Sequence, residues 1–162
     1  CGGPRPDQLD RMARLGIVAV GQPRYFWDAG DDWLAAFDPA RAHRLQPYRE
    51  MVDRGVRFVI STDAPVASYR PVDTIATAVL RRTVGGATIG PDQALTVGEV
   101  VRAYTIDAAR SFSAEEDRGS LEPGKLADLV VFDGDLFGTP PERIVDLDVA
   151  LTMVGGKVVH EA

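Results

Sequence analysis

Apolar positions along the chain predict two units in which a helix leads directly into a strand. Apolar residues recur at helical spacing over residues 6–15, a glycine follows, and a short apolar run over residues 17–20 predicts a buried strand. The same order returns as a helix over residues 45–54, a glycine, and an apolar strand over residues 56–60. Repeated units of this kind predict an α/β fold with parallel strands.

Two more helices are predicted downstream. Residues 71–82 carry an apolar stripe, and the two arginines at the end suit the negative end of the helix dipole. Residues 96–108 start with the Thr-x-x-Glu pattern of a capping box. In contrast, residues 24–42 are predicted to form a long connection. Its aromatic side chains either line a pocket or, the more common case, pack the loop onto the body of the protein.

The last part of the chain has the pattern of strands and turns. Short apolar runs predict strands over residues 127–132, 150–154 and 157–160. The pair Gly155-Gly156 between the last two runs is a hairpin signal. We therefore predict two structural regions, a helix-rich region over residues 1–117 and a strand-rich region over residues 118–162.

Composition narrows the classes of partner. The formal net charge is −6, with no cluster of Lys or Arg, which argues against binding to nucleic acid or to an anionic membrane. No apolar run reaches the roughly 18 residues that cross a bilayer, so we expect a cytoplasmic protein. Cys1 is the single cysteine, which excludes an intrachain disulfide and a zinc-finger cage. A start at Cys1 instead of Met suggests a piece of a longer protein.

Asp63 is the most informative polar residue, because it lies just beyond the second predicted strand and close to Pro65. In α/β folds the carboxyl ends of parallel strands form a crevice in which ligands bind and catalytic side chains gather. An aspartate near a proline is also ordinary turn chemistry. The position alone leaves both interpretations open.

Four segments resemble the metal-dependent amidohydrolase superfamily. Residues 119–133, GSLEPGKLADLVVFD, resemble its C-terminal signature, and residues 61–65, STDAP, resemble the end of its eighth barrel strand. Residues 151–159, LTMVGGKVV, resemble its terminal hairpin. Residues 44–49, RLQPYR, resemble the branch called amidohydrolase family 3. The resemblance extends over essentially the whole chain.

The resemblance implies a fold and a reaction. Residues 1–117 are then the C-terminal portion of a (β/α)₈ TIM-like barrel, and residues 118–162 are the C-terminal part of a small β-sandwich. The implied enzyme hydrolyses amide or cyclic amide C–N bonds of a small-molecule substrate through water activated by a divalent metal, zinc foremost. The resemblance implies that Asp63 is a metal ligand and the general base.

The same resemblance implies that this chain is incomplete as an enzyme. The histidine and lysine ligands of the family have no counterpart in this sequence, so we expect the chain alone to hold no metal and to be inactive. Its expected partner is the missing N-terminal half of the same protein. Gln22 and Arg44 are candidate substrate contacts, although a turn hydrogen bond and a surface charge are equally good roles for them. His43 and His160 are expected to be solvated residues, not ligands.

Two alternatives stay open at this point. Residues 129–137 resemble the strand and Asp-x-Asp pair of haloacid-dehalogenase phosphotransferases, with Asp133 and Asp135 as the reactive acids. Phe137 stands where that family has Thr or Val, and too little chain follows to build its α/β body. The other alternative is a non-catalytic piece that only pairs with a partner chain, and a homo-oligomer is also left open.

Overall fold

The computed structural model describes residues 2–162, which form an α/β structure. The helices are α1 (Pro6–Leu15), α2 (Tyr25–Ala36), α3 (Pro39–His43), α4 (Tyr48–Asp53), α5 (Pro71–Leu80), α6 (Val97–Tyr104) and α7 (Ile106–Ser111). The strands are β1 (Val18–Gly21), β2 (Arg57–Ile60), β3 (Leu129–Phe132), β4 (Val149–Val154) and β5 (Lys157–Glu161). Short 3₁₀ segments are Pro91–Gln93 and Pro141–Asp146. The predictions made on Cys1 lie outside the described residues.

The two helix-then-strand units form as predicted, and their strands pair in parallel. Val18 lies opposite Arg57 and Gly21 opposite Ile60, so the carboxyl ends of β1 and β2 are side by side. The N–H of Ser61 donates to the carbonyl oxygen of Gly21 at 2.9 Å, which continues the ladder beyond the strands. The segments that follow both strands therefore leave the sheet at one edge.

The main core lies between this pair of strands and the helices. The face of the sheet turned toward the helices carries Ala19, Phe58 and Ile60, all buried. Helix side chains that complete the core include Leu9, Phe26, Tyr48, Met51, Val72, Ile75, Val100 and Ala103. Burial of these apolar surfaces is the main stabilising contribution to the position of the strand ends.

The prediction of a long loop over residues 24–42 was wrong, because α2 and α3 occupy most of it. Phe26, Gly30 and Trp33 share one side of α2, and the rings of Phe26 and Trp33 meet edge to face at 5.6 Å between centroids. Gly30 is required there, since a Cβ would lie 2.5 Å from Thr83. The helical period was not recognised in the sequence because Gly30 interrupts the apolar side and aspartates lie close to it along the chain.

Arg81 lies at the C-terminal end of α5, as predicted, but it has a further role that the sequence pattern did not indicate. Its side chain is fully buried, and it donates to the carbonyl oxygens of Ile89, Gln46 and Leu45 at 2.7, 3.1 and 3.0 Å. Burial lowers the pKa of Arg81 to about 10, so the guanidinium is still charged near neutral pH. Arg81 thus ties α5 to the segment that leads into α4.

Two helices are shorter than the pattern predicts. The predicted helix over residues 45–54 begins only at Tyr48, because Pro47 cannot occupy a helix interior. The capping box of Thr96 and Glu99 is confirmed, but the helix that it starts ends at Tyr104, and α7 begins after Thr105. A non-helical backbone at Thr105, with φ −112° and ψ −96°, separates the two.

The C-terminal strands form a separate antiparallel sheet in the order β3-β4-β5. Gly155 and Gly156 have φ of 55° and 80°, as a two-residue hairpin turn requires, so that prediction is confirmed. Arg70 connects this region to the helices, since its Nη2 donates to the carbonyl oxygens of Val145 and Leu147 and to Asp148 Oδ1. Within residues 2–162, none of the helices has the length and apolar character of a membrane span.

Candidate functional site

Asp63 lies beyond the carboxyl end of β2 and is exposed, in the position that the sequence pattern indicates. The hydroxyl of Tyr25 donates a hydrogen bond to Asp63 Oδ2 at 2.7 Å. Asp63 Oδ1 receives no hydrogen bond from the residues that the structure describes. The carboxylate therefore has one oxygen held by the protein and one oxygen open to a ligand.

The backbone at Asp63 is also unusual. Its φ of 58° lies in the left-handed region, which few residues other than glycine adopt, although aspartate tolerates it better than most. The N–H of Val66 donates to the carbonyl oxygen of Asp63 at 2.9 Å, so a tight turn follows at once. Such conformations are enriched at functional sites, where the surrounding structure holds them in place.

Tyr25 is brought to Asp63 by the parallel pairing of β1 and β2. Its N–H donates to the carbonyl oxygen of Gln22 at 3.2 Å in the turn that starts α2. The side-chain amide of Gln22 donates to Ser61 Oγ at 3.1 Å, which joins the ends of the two strands. The hydrogen bond to Asp63 raises the pKa of Tyr25, so the phenol is protonated and acts as the donor at neutral pH.

A buried carboxylate supports the loop that follows Asp63. Asp73, in the first turn of α5, accepts from Ser68 Oγ at 2.6 Å and from Arg70 Nη1 at 3.3 Å. Arg24, in the segment after β1, places its Nη1 3.7 Å from Asp73 Oδ2. The segments that leave both strands are thus anchored on the same acid.

Of the two candidate substrate contacts, Gln22 is bonded to Ser61, two residues before Asp63, and Arg44 is engaged elsewhere. Arg44 Nη2 donates to the carbonyl oxygen of Pro4 at 3.0 Å and lies 3.1 Å from Glu50 Oε2, so its guanidinium links the N-terminal segment to α4. Gln22 is half-buried, and its amide is used by Ser61. Substrate contact by either residue stays a prediction.

The other acids and histidines named from the sequence have local partners. Asp133 Oδ1 accepts from the N–H of Asp148 and Asp135 Oδ1 from the N–H of Phe137, each at 3.0 Å, and β3 before them is antiparallel to its neighbour. The phosphotransferase pattern instead opens a parallel α/β body, so this geometry does not favour it. The two histidines contact Asp92 Oδ1 (His43, 3.0 Å) and Val149 O (His160, 3.2 Å).

A metal ion needs more ligands than this region contains. Among residues 2–162 no three side chains of His, Cys, Asp or Glu gather in a group that could hold a metal. A hydrolytic zinc takes about three protein ligands and one open position. Asp63, with one oxygen open, has the chemistry of a single ligand, and the described chain does not form the complete site.

Tyr25 is the residue of the site that sequence reasoning assigned to loop packing. One signal could have found it. When two strands are parallel neighbours, the residues just after each of them meet at one edge, so residues 22–25 and 61–65 belong together. The strand pairing was predicted, but this consequence for Tyr25 was not drawn from it.

Comparison with known proteins gives matches along nearly the whole chain. The sequence profile Amidohydro_3, described as the amidohydrolase family, matches residues 1–160. The N-substituted formamide deformylase of Arthrobacter pascens is 36% identical over 155 residues, which are 95% of this chain and 29% of that protein. The imidazolonepropionase of Shouchella clausii strain KSM-K16 is 30% identical over 161 residues, 96% of this chain and 30% of that protein.

The fold is similar to that of a solved structure as well. An uncharacterized metal-dependent hydrolase from Pyrococcus horikoshii OT3 superposes with a TM-score of 0.74 at 26% sequence identity. The match covers 87% of this chain and 29% of that one. The chain thus spans less than a third of the length of these three proteins.

Proposed function

Since this chain belongs to the amidohydrolase family, in its family 3 branch, we propose that it is part of a metal-dependent hydrolase of C–N bonds. In this proposal residues 1–117 are the C-terminal portion of a (β/α)₈ barrel and residues 118–162 the C-terminal part of a β-sandwich. The remaining strands and metal ligands come from a longer protein. The chain alone is inactive, because it supplies a single ligand.

Asp63 is the catalytic residue of the proposal, as metal ligand and general base. The observation that carries this role is the carboxylate itself: it is exposed at the ends of two parallel strands, one oxygen is held by Tyr25, and the other has no partner among the described residues. In the longer protein a divalent metal, zinc in our proposal, would supply a Lewis acid that makes water a nucleophile near neutral pH. The Asp63 carboxylate would help to hold that metal and would take the proton from the water.

The names of the relatives suggest the substrate class. One is a deformylase of N-substituted formamides and another an imidazolonepropionase, so we propose a small amide or cyclic amide as substrate. N-substituted formamides come first, since the deformylase has the higher identity of the two, 36% against 30%. Gln22 and Arg44 are proposed substrate contacts only in the longer protein.

The proposed function is tested on the full-length gene product. Purified protein is incubated with a panel of N-substituted formamides and with imidazolonepropionate, and release of formate or ring opening is measured. We expect turnover that is lost when the metal is removed by a chelator and returns when zinc is added back. Unchanged turnover by metal-free protein, or no hydrolysis of any C–N substrate by protein loaded with zinc, would contradict the proposal.

A further inference from the structure

We propose that Tyr25 is a positioning residue for Asp63, whose hydroxyl fixes Oδ2 and so directs Oδ1 toward the reacting water. This inference rests on the proposed function and extends it by one residue. Tyr25 touches neither substrate nor metal in this scheme. It acts through the carboxylate alone.

The bond itself is of the strong kind. A Tyr25 Oη to Asp63 Oδ2 distance of 2.7 Å is typical of a hydroxyl that donates to an ionised carboxylate, and such bonds are about twice as strong as neutral ones. In the described structure, Tyr25 is the one residue that bonds to the side chain of Asp63. The other hydrogen bond of Asp63 uses its backbone carbonyl, which accepts from Val66. The rotamer of an exposed aspartate is otherwise free to change.

The hydroxyl of Tyr25 is in turn fixed by the fold. Tyr25 is the first residue of α2, and its N–H is bonded to Gln22, whose side chain is bonded to Ser61. Ser61 continues the β1–β2 ladder through Gly21. The donor Tyr25 thus follows the end of β1 and the acceptor Asp63 follows the end of β2, so the paired strands hold both in place.

Orientation of a ligand or base by such a partner has a measurable effect. Loss of the outer partner of a metal-binding carboxylate or histidine typically costs about 10–100-fold in metal affinity or activity. Phenylalanine in place of Tyr25 keeps the ring and removes only the hydroxyl. The expected loss therefore reports on the hydrogen bond.

The experiment uses the full-length protein with Tyr25→Phe, Tyr69→Phe and Asp63→Asn. Tyr69 is the matched control, since it lies in the loop after Asp63, is 81% exposed and makes no side-chain hydrogen bond in the described structure. We expect Tyr25→Phe to lower kcat about 10–100-fold with KM unchanged, and to weaken zinc affinity, measured against a chromogenic chelator, by about 10-fold or more. The thermal midpoint of the metal-free protein should be unchanged, and Tyr69→Phe should match the wild type throughout.

The outcomes separate the two proposals. Wild-type kcat and zinc affinity in Tyr25→Phe, or a raised KM with unchanged kcat, would overturn the positioning role while a loss of turnover in Asp63→Asn still supports the proposed function. Retained turnover in Asp63→Asn, or no zinc binding by the wild type, would overturn the proposed function and the positioning role with it. The zinc measurement decides about Tyr25 even without a substrate.

Discussion

The guanidinium carbon of Arg81 lies 4.0 Å from the ring centroid of Phe26, and both side chains are fully buried. No carboxylate pairs with Arg81 in the described structure; its hydrogen bonds go to three backbone carbonyls. The aromatic face and these carbonyls together offset the cost of burying the charge. This cluster supports the segment that leads into α4 and β2, and hence the strand that carries Asp63.

Replacement of Arg81 by methionine should destabilise the protein strongly. The change removes every side-chain N–H donor, so the carbonyl oxygens of Ile89 and Leu45 lose their partner and that of Gln46 keeps only the N–H of Tyr48. We therefore expect a loss of about 3 kcal/mol in the free energy of unfolding. Urea unfolding measures it. The neighbour Arg82 is exposed, so Arg82→Met should change stability by no more than about 0.5 kcal/mol. Equal effects would refute the role of Arg81.

Gly21 should not accept a side chain. A Cβ at this position would lie 2.7 Å from the ring of Phe58 and 2.8 Å from the ring of Tyr48, so we expect Gly21→Ala to cost about 1–3 kcal/mol. Gly98 in α6 is a matched control, because a Cβ there meets nothing within 4 Å. Gly98→Ala should stabilise the helix by about 0.5–1 kcal/mol. Urea midpoints that move in the same direction for both variants would contradict the packing described for β1.

The capping box of α6 predicts a pH dependence of stability. Burial alone raises the pKa of Glu99, but hydrogen bonds from Thr96 and Arg49 outweigh it, and the net pKa lies below its ordinary value of 4.5. A carboxyl with a lowered folded pKa contributes stability that is complete above the unfolded value and is lost as pH falls through the folded one. The stability difference between wild type and Glu99→Gln should therefore be largest above pH 4.5 and shrink toward lower pH.

Two variants complete this test. Thr96→Ala should cost about 1 kcal/mol, since its hydroxyl accepts from the N–H of Glu99 at 3.2 Å. Glu116 is exposed and unpaired in the described structure, so Glu116→Gln should show no comparable gap. Unfolding is followed at a series of pH values for all variants. A stability difference between wild type and Glu99→Gln that grows as the pH falls would contradict a stabilising role of Glu99 in the capping box.

How far the fold could be predicted depended on whether the signal was local. The order of α1, β1 and β2, the capping box at Thr96 and the hairpin at Gly155 are encoded in short windows, and the structure confirms them. Helix α2 was missed because its apolar side is interrupted by Gly30. A glycine is needed there because the helix packs closely against Thr83, which is more than fifty positions away in the sequence. The burial of Arg81 was not predicted for the same reason: its partners lie in other segments.

The candidate site divides in a similar way. Asp63 could be found from its place after an apolar strand and from the resemblance of its neighbours to a family. Its partner Tyr25 has no such local signal, since it lies at the start of α2, just after the neighbouring strand β1, and 38 positions separate the two residues. Pairing of strands is what turns such distant residues into neighbours.

The central claim is tested most directly by Asp63→Asn in the full-length protein, on whichever C–N substrate that protein hydrolyses. Asparagine keeps the size of the side chain but is no base, so turnover should fall by about 100-fold or more. Because Asp63 is exposed, the thermal midpoint of the metal-free variant should stay near that of the metal-free wild type. Asp32→Asn, at an exposed aspartate of α2, should keep full turnover. Wild-type turnover in Asp63→Asn would contradict the account.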